Sequence, residues 1–415
     1  MKPRIALVGV SGFSGVHYED LILRAAAGSI DLAAATVINQ EQEPVKCEGL
    51  RRAGCRIYRS YEDMLEGEHD RIDLCIIPTG IHLHAPMTLA ALEAGWNVLL
   101  EKPAAATVEE VEQMKAAEAR SGCFVAVAYQ HMYVPETMLL KRALCDGILG
   151  EIQAIKCLGL WPRFGEYYAR NDWAGRIRAR GRWVFDAPFN NALAHWLNLM
   201  IFFAGEDVTS AGTPLSLEAE LYRARQIESC DTACFRIGTE LGARIYFWVG
   251  HSCPREMGPI LEIRGTKGVM RWAGSQITHR DACGERVFAS CSDTPSLRKH
   301  LLDTVLAHWK GESVFICGLD IAGRQTLVSH AAFETAPIHT IAAAHLSPSP
   351  ERPGECFLGG IERDCLRAFE EEKLWSELPA AWAARSSRAM LAPRVRSDLR
   401  APSVREGLGT AAWVG

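Results

Sequence analysis

Short apolar runs punctuate the first 130 positions. RIALVGV (4–10), DLAAATVI (31–38), DLCII (73–77), WNVLL (96–100) and CFVAVA (123–128) are each apolar on both alternating faces. Runs of that kind predict strands buried on both sides in a parallel sheet. Between them, helical spacing reaches to about residue 28 and spans 84–94 and 107–121. Strand and helix alternate, which predicts a doubly wound α/β domain of Rossmann type over residues 1–128. From residue 129 the rhythm changes. Strands are predicted at 151–160, 231–238, 243–249, 259–264 and 268–272, with turns such as RGTKG (264–268) between them. Helices are predicted at 189–204, 296–310 and 319–335. This pattern predicts an α+β domain over 129–345 with a large, mostly antiparallel open sheet.

A third piece, 346–415, opens with an amphipathic helix and short exit at 361–382. Its end carries Arg385, Arg388, Arg394, Arg396, Arg400 and Arg405, broken at Pro393 and Pro402, and has no core-forming pattern. It reads either as disordered or as an arm lying on another subunit.

Composition narrows the class. The 415 residues are 48% hydrophobic and 23% charged, ordinary for a soluble globular protein of two or three domains. A net charge of −5 argues against a nucleic-acid binder. MKPRIALVGVSGFSG is too short and too polar for a signal peptide or membrane span, and no later run approaches about 18 apolar residues. The 14 cysteines form no C-x-x-C pair, and the closest two, Cys230 and Cys234, lack a matching cluster. They read as reduced thiols of a cytoplasmic protein without a metal site.

Two stretches suggest a nucleotide. GVSGFSG has glycines at 9, 12 and 15 between a strand and a helix. Such a turn lets backbone approach a pyrophosphate, with the helix N-terminus offering N–H groups. Gly9, Ser11, Gly12, Phe13 and Ser14 are therefore candidate contacts, although the spacing is G-x-x-G-x-x-G and not G-x-G-x-x-G. The strand 31–38 ends in Asn39 and Gln40, where an acid would hold the adenosine ribose of NAD. Asn39 can bond a ribose without repelling a 2′-phosphate, so NAD and NADP both stay open.

Three further stretches carry candidate chemistry. PTGIHLHAP (78–86) and EKP (101–103) stand at the carboxyl ends of strands, where ligands sit in such sheets. The plain reading of Glu101–Lys102 is a solvated pair on a loop. FNNALAHWLNLM (189–200) is an apolar helix in which Asn191, His195, Asn198 and Phe202 fall within roughly 60° of one another. That stripe is either a core histidine satisfied by two amides or a cavity-lining face. RFGEYYARNDWAGRIRARGRW (163–183) interleaves arginines 163, 170, 176, 178, 180 and 182 with Tyr167, Tyr168, Trp173 and Trp183, against only Glu166 and Asp172. It is either a solvated basic loop or a lid, with Trp173 stacking on a sugar and Arg176 holding an anionic group.

LLEKPAAATVEEVEQM (99–114) resembles the EKP segment of the Gfo/Idh/MocA oxidoreductases, the glucose–fructose oxidoreductase and inositol dehydrogenase family. Residues 76–103 resemble the adjoining segment, in which Pro78 and His84 match and Thr79 stands where Asn is commoner. VAYQHMYVPETMLLKRALCDGILGEIQAI (127–155), which includes Gln130, is similar to the crossover into the second domain. The resemblance covers most of residues 1–345. It implies a D-x-x-x-H-x-x-D-like helix facing the nicotinamide, with His195 at the histidine and Asn191 and Asn198 at the carboxylate positions. It also implies a cofactor, NAD or NADP, held by the residues above with Pro78, Thr79, His84, Glu101, Lys102 and Gln130.

The implied activity is hydride transfer with a secondary alcohol or ketone of a sugar, polyol or glycoside. Lys102 and His195 would stand at the reacting oxygen, Asn191 would orient a substrate hydroxyl, and Glu101 would hold a ribose hydroxyl or Lys102. The sheet of the second domain would form the contact of a homodimer or homotetramer. Two alternatives are glycoside cleavage through transient oxidation by a bound cofactor, and a nucleotide-sensing protein with a degenerate site.

Overall fold

The computed structural model describes residues 2–349 and 351–391. Six strands, β1 (Arg4–Val8), β2 (Asp31–Thr36), β3 (Arg56–Tyr58), β4 (Leu74–Ile77), β5 (Asn97–Leu100) and β6 (Val125–Val127), form one sheet in the order β3-β2-β1-β4-β5-β6. Every neighbouring pair is parallel. The connections are α1 (Ser14–Ala26), α2 (Pro44–Arg52), α3 (Tyr61–Gly67), α4 (Ile81–Glu93) and α5 (Val108–Ser121). Ile5, Ala6, Leu7, Leu74, Val98 and Leu99 are all 0% exposed, which is why these strands read as unbroken apolar runs. Local signals set the helix ends: Thr107 and Glu110 form a reciprocal capping box on α5, and Gly122 at φ +72 closes it. The strand order reverses between β1 and β4, and a ligand crevice is expected at that point.

A helix α6 (Pro135–Cys145) leads to β7 (Ile152–Leu160), and then to the arginine-rich strap with α7 (Gly165–Ala169) and the small ladder β8 (Arg178–Ala179) with β9 (Arg182–Trp183). After α8 (Ala194–Phe203) come β10 (Pro214–Arg223), β11 (Thr232–Thr239), β12 (Arg244–Gly250), β13 (Met257–Gly265), β14 (Val269–Ala273), β15 (Gln276–Asp281) and β16 (Gly284–Ser290). Then follow α9 (Thr294–Trp309), α10 (Leu319–Thr335), β17 (Ile338–Thr340), the hairpin β18 (Leu346–Pro348) with β19 (Cys356–Leu358), α11 (Ile361–Glu371) and β20 (Ser387–Met390). The second sheet has ten strands in the order β16-β15-β14-β13-β7-β12-β11-β10-β17, with β20 also on β10.

This sheet is mixed, which corrects the expectation of a mostly antiparallel one. β7 pairs with β12 in parallel, and β10 with β17. In both pairs the chain between the partners crosses through helices, and a helical crossover returns a strand in the same direction. The far face of this sheet is covered by the C-terminal segment. Leu158, Tyr222, Tyr246 and Trp248 are buried there against Ile361, Cys365, Phe369 and Trp375 of the C-terminal segment. Ser387–Met390, expected to lack structure, adds a strand to β10. Arg394, Arg396, Arg400 and Arg405 lie outside the described residues.

One boundary matters for the site. The helix expected from residue 189 begins at Ala194. Asn190 and Leu193 N–H groups bond Ala187 and Pro188 carbonyls, and the Asn190 amide donates to Phe185 O (3.1 Å). Asparagine amides that bond local backbone compete with the helix, and here they hold a turn. All fourteen cysteines are free. Among the described residues no helix is long and apolar enough to cross a membrane.

Candidate active site

The chain leaves β1 through Gly9 (φ +84) and Gly12 (φ +56), a left-handed backbone that glycine adopts freely. A Cβ placed on Gly12 would meet nothing within 4 Å, so the turn fronts open space. No side chain caps α1, and the Ser14, Gly15 and Val16 N–H groups close only four-residue turns. A backbone cradle of this shape fits a diphosphate. Side chains tie it to its neighbours. Ser14 Oγ donates to Pro78 O (3.0 Å), and Asn39 Nδ2 donates to Ser11 Oγ (3.1 Å) and Gln42 Oε1 (3.3 Å). Phe13 is half exposed at the mouth. The candidate cofactor residues Gly9, Ser11, Gly12, Phe13, Ser14, Asn39 and Pro78 thus lie together at the strand ends.

At the end of β5, Glu101 is buried and engages a residue the sequence did not suggest. Its Oε1 accepts from His17 Nε2 of α1 (3.0 Å), and its Oε2 accepts the Lys102 backbone N–H (3.1 Å). Burial raises the Glu101 carboxyl, but His17, Lys102 and these bonds outweigh it and hold it below its usual range. Glu101 therefore bonds His17 and not the Lys102 ammonium, because the Lys102 side chain is drawn across to the second domain. His84 is buried, with Nδ1 at Pro103 O (2.7 Å) and Nε2 at Thr79 O (3.1 Å). Burial holds this imidazole neutral, so only one of its nitrogens donates to a carbonyl, and that bond fixes the ring among the loops at the strand ends. Thr79 Oγ1 is buried with no partner. Gln130, half-buried, opens a 3₁₀ turn before α6.

Lys102 Nζ donates to Asn191 O (2.9 Å) and Asn191 Oδ1 (3.0 Å). The Asn191 amide nitrogen donates to Asp186 Oδ1 (2.7 Å) and lies 3.4 Å from the Tyr167 hydroxyl. Asp186 Oδ2 accepts the Gly175 N–H (2.6 Å). The chain of contacts runs from the EKP loop through a turn of the second domain to the strap. Burial pushes the Lys102 ammonium below its ordinary range, with Arg170 adding to this and Glu101 and Asp186 opposing it. Burial pushes the Asp186 carboxyl up against the bonds and cations around it.

His195 stands one residue into α8, with its ring edge-on to Tyr129 (5.7 Å) and His131 (5.6 Å). Its Nδ1 is buried with no partner. Burial, Lys102 and His131 hold it well below its usual pKa, so it is a neutral imidazole at pH 7. The Asn–His–Asn stripe is not carried on one helix: Asn191 precedes α8, and Asn198, three residues beyond His195, is buried with its amide 3.9 Å from Cys317 Sγ. The starting register was wrong because the turn at 190–193 keeps an apolar pattern without being helical.

The strap reaches this cluster through Tyr167. Trp173 is half-buried and its Nε1 lies 3.0 Å from where a Gly80 Cβ would stand, so it packs on the start of α4. Arg176 is exposed, and Arg170 is the arginine brought to Lys102. Asp186, His17 and His131 are the residues that sequence reasoning missed, and within the strap it singled out Trp173 and Arg176 where the structure brings Tyr167 and Arg170 toward Lys102. DAPFNN (186–191) held a usable signal, a carboxylate five residues before the asparagine, but only if the segment is read as a turn.

Residues 3–129 match the family model for an oxidoreductase with an NAD-binding Rossmann fold, and residues 137–271 match that for the GFO/IDH/MocA C-terminal domain. The rhizopine catabolism protein MocA of Rhizobium meliloti is 30% identical over 157 residues, which cover 37% of this chain and 46% of that one. An inositol 2-dehydrogenase of Rubrobacter xylanophilus is 26% identical over 147 residues, 35% of this chain and 40% of that one. The chain spans about half the length of the curated relatives it matches. The WlbA dehydrogenase of Bordetella pertussis, solved with NADH and UDP-GlcNAcA, superposes at a TM-score of 0.66 with 23% identity, over 80% of this chain and 97% of that one. That likeness shows a shared fold.

Proposed function

The chain belongs to the NAD-binding Gfo/Idh/MocA oxidoreductase family, and from that premise we propose that it is an NAD(P)-dependent dehydrogenase of a sugar, polyol or glycoside secondary alcohol. The observation that carries the proposal is the meeting of Lys102 with Asn191 and Asp186 across the two domains, beside His195. The nicotinamide, when bound, supplies the hydride acceptor. The Gly9–Ser14 turn, Asn39, Pro78 and Thr79 would hold the cofactor.

Lys102 spends two of its three N–H donors on Asn191, which leaves one for a substrate oxygen. Its charge favours the alkoxide character that develops as the carbon is oxidised. Neutral His195 has a free nitrogen to take the hydroxyl proton. Asp186 fixes Asn191 and offsets the Lys102 charge. A retained buried carboxylate argues for a working site over the nucleotide-sensing alternative. Asn39, held by Ser11 and Gln42, leaves NAD and NADP both acceptable. The same reading puts the protein in the cytoplasm with a small-molecule substrate. A homodimer or homotetramer would use a surface other than the sheet face covered by α11.

Two experiments test the proposal. Mass measurement of co-purified nucleotide, followed by a screen of polyols, sugars and glycosides for change in nicotinamide absorbance, should give a bound NAD(H) or NADP(H) and turnover of at least one class. His195→Ala should lower turnover per folded molecule by about 10²–10⁴-fold. Failure to bind either dinucleotide, or full activity of folded His195→Ala, rejects the assignment.

A further inference from the structure

Among the described residues Arg163, Arg170, Arg176 and Arg178 of the strap form no ion pair with a carboxylate, and two of them, Arg163 and Arg170, share one aromatic ring. Arg180 pairs with Asp172 (2.9 Å), and Arg225, which borders the strap, pairs with Glu355. Arg170 has its guanidinium 3.5 Å from the centre of the Tyr167 ring and 5.3 Å from Trp173, and its Nη1 bonds Tyr167 O (2.6 Å). Arg163 lies 5.1 Å from the same Tyr167 ring, with Nη1 on Pro162 O (3.0 Å).

Stacking uses the flat face of a guanidinium and leaves its N–H edge for a planar or tetrahedral oxyanion. Stacking alone would explain the placement of one exposed arginine. It does not explain two on one ring, with a third cation close by. The Tyr167 hydroxyl reaches the Asn191 amide, and Asn191 holds Lys102. Lys102, Arg163 and Arg170 thus gather around Tyr167 and Asn191 against two carboxylates, Asp186 and Glu101, in a chain whose net charge is −5. The local charge is incomplete in the direction that a negative group would complete. The dinucleotide's own phosphates do not supply it, because the glycine turn that fits them lies at the end of β1.

We infer that the substrate of this site carries an oxyanion, a sugar carboxylate or a phosphate ester, which Arg170 receives on the Tyr167 platform with support from Arg163. The inference rests on the proposed dehydrogenase reading and narrows its substrate class. It also moves the anion-holding role from Arg176 to Arg170.

Calorimetry on the NADH-loaded protein tests it with three probes: D-glucose, D-glucuronate and D-glucose 6-phosphate. At least one anion should bind at least about tenfold tighter than glucose. Arg170→Gln should cut that affinity by about 10–100-fold, the range of a charge-assisted hydrogen bond, and leave glucose unchanged. Arg170→Lys, which keeps charge but loses the fork, should fall between. Preference for glucuronate alone identifies a carboxylate, and preference for glucose 6-phosphate alone identifies a phosphate. Glucose binding as well as both anions overturns the inference, as does an Arg170→Gln loss shared equally by all three probes. NADH is titrated first in the same experiment. No NADH binding rejects the dehydrogenase reading, whereas NADH binding without anion preference rejects only this inference.

Discussion

Asp186→Asn is the substitution that best separates a working site from a structural cluster. A carboxylate accepts hydrogen bonds and donates none. Asn191 must therefore turn its amide nitrogen toward Asp186 (2.7 Å), which leaves its oxygen for Lys102 (3.0 Å). An asparagine at 186 keeps the shape but brings a donor, so Asn191 can turn over and present its NH₂ to the ammonium. The charge is lost as well. Lys102 and Asp186 are separated by one amide and two hydrogen bonds, at most about 8 Å, which gives about 2 kcal/mol at an effective dielectric of about 20. Lys102 is partly exposed, and screening leaves about 1 kcal/mol, a little under one pKa unit.

Lys102 already titrates below its ordinary range because its half-buried position disfavours the charge, and the variant should lower it by about one unit more. If the charged ammonium polarises the reacting oxygen, activity is lost as pH rises through the Lys102 pKa. The alkaline limb of kcat/KM should then move down by about one pH unit. Stability should not fall in step. Burial raises the Asp186 carboxyl, so the folded state is penalised for that charge above the usual carboxylate range, and the amide removes the penalty. The assay is a pH profile of kcat/KM with melting temperature on the same samples. An unmoved alkaline limb in a well-folded Asp186→Asn protein refutes the reasoning.

Gly12→Val should weaken NADH binding by at least about tenfold, because its side chain enters open space at a left-handed backbone position; unchanged affinity in calorimetry would remove the glycine turn from the cofactor site. Asn39→Asp should shift the affinity ratio toward NAD, since a carboxylate repels a 2′-phosphate, and an unmoved ratio places the ribose elsewhere. The Glu101 carboxyl is held below its usual range, so its stabilising contribution is present above about pH 4.3 and is lost as pH falls through the folded value. His17→Leu removes the first of the groups holding it down, and acid unfolding followed by circular dichroism should begin at higher pH; superimposable curves would show that the pair contributes nothing.

The strands of the first sheet were legible because burial on both faces leaves a continuous apolar run, and the EKP loop because it follows one of them directly. Lys102 and His195 come from separate segments that the resemblance brought together. The rest depended on contacts that carry no periodicity. Asp186 and Asn191 belong to a turn, and a turn has no repeat to count. His17 sits on an ordinary amphipathic helix, and only the fold brings it to Glu101. Among the strap aromatics, composition could nominate a lid, but it could not tell Tyr167 with Arg170 from Trp173 with Arg176. The mixed character of the second sheet was hidden because strand patterning records which residues are buried, not the direction in which a crossover returns. β10 is missing from the expected strands although LSLEAEL (215–221) alternates clearly.

The pairing of β10 sets an order of events during synthesis. This strand ends at Arg223, yet its outer neighbours are β17, ending at Thr340, and β20, ending at Met390. While the ribosome makes the intervening chain, the outer side of β10 offers unpaired N–H and C=O groups to any passing strand. Over the same interval Tyr222, Tyr246 and Trp248 wait for α11 and Trp375. The second domain therefore emerges with a sticky edge and a bare aromatic face that only its last segment can close, the condition under which nascent chains aggregate or call on chaperones. A stop codon placed after residue 345 would keep β17 but leave the Ser216–Ala219 part of the β10 edge and the aromatic face permanently uncovered. Its product should collect in the insoluble fraction even though every candidate catalytic residue has already been made.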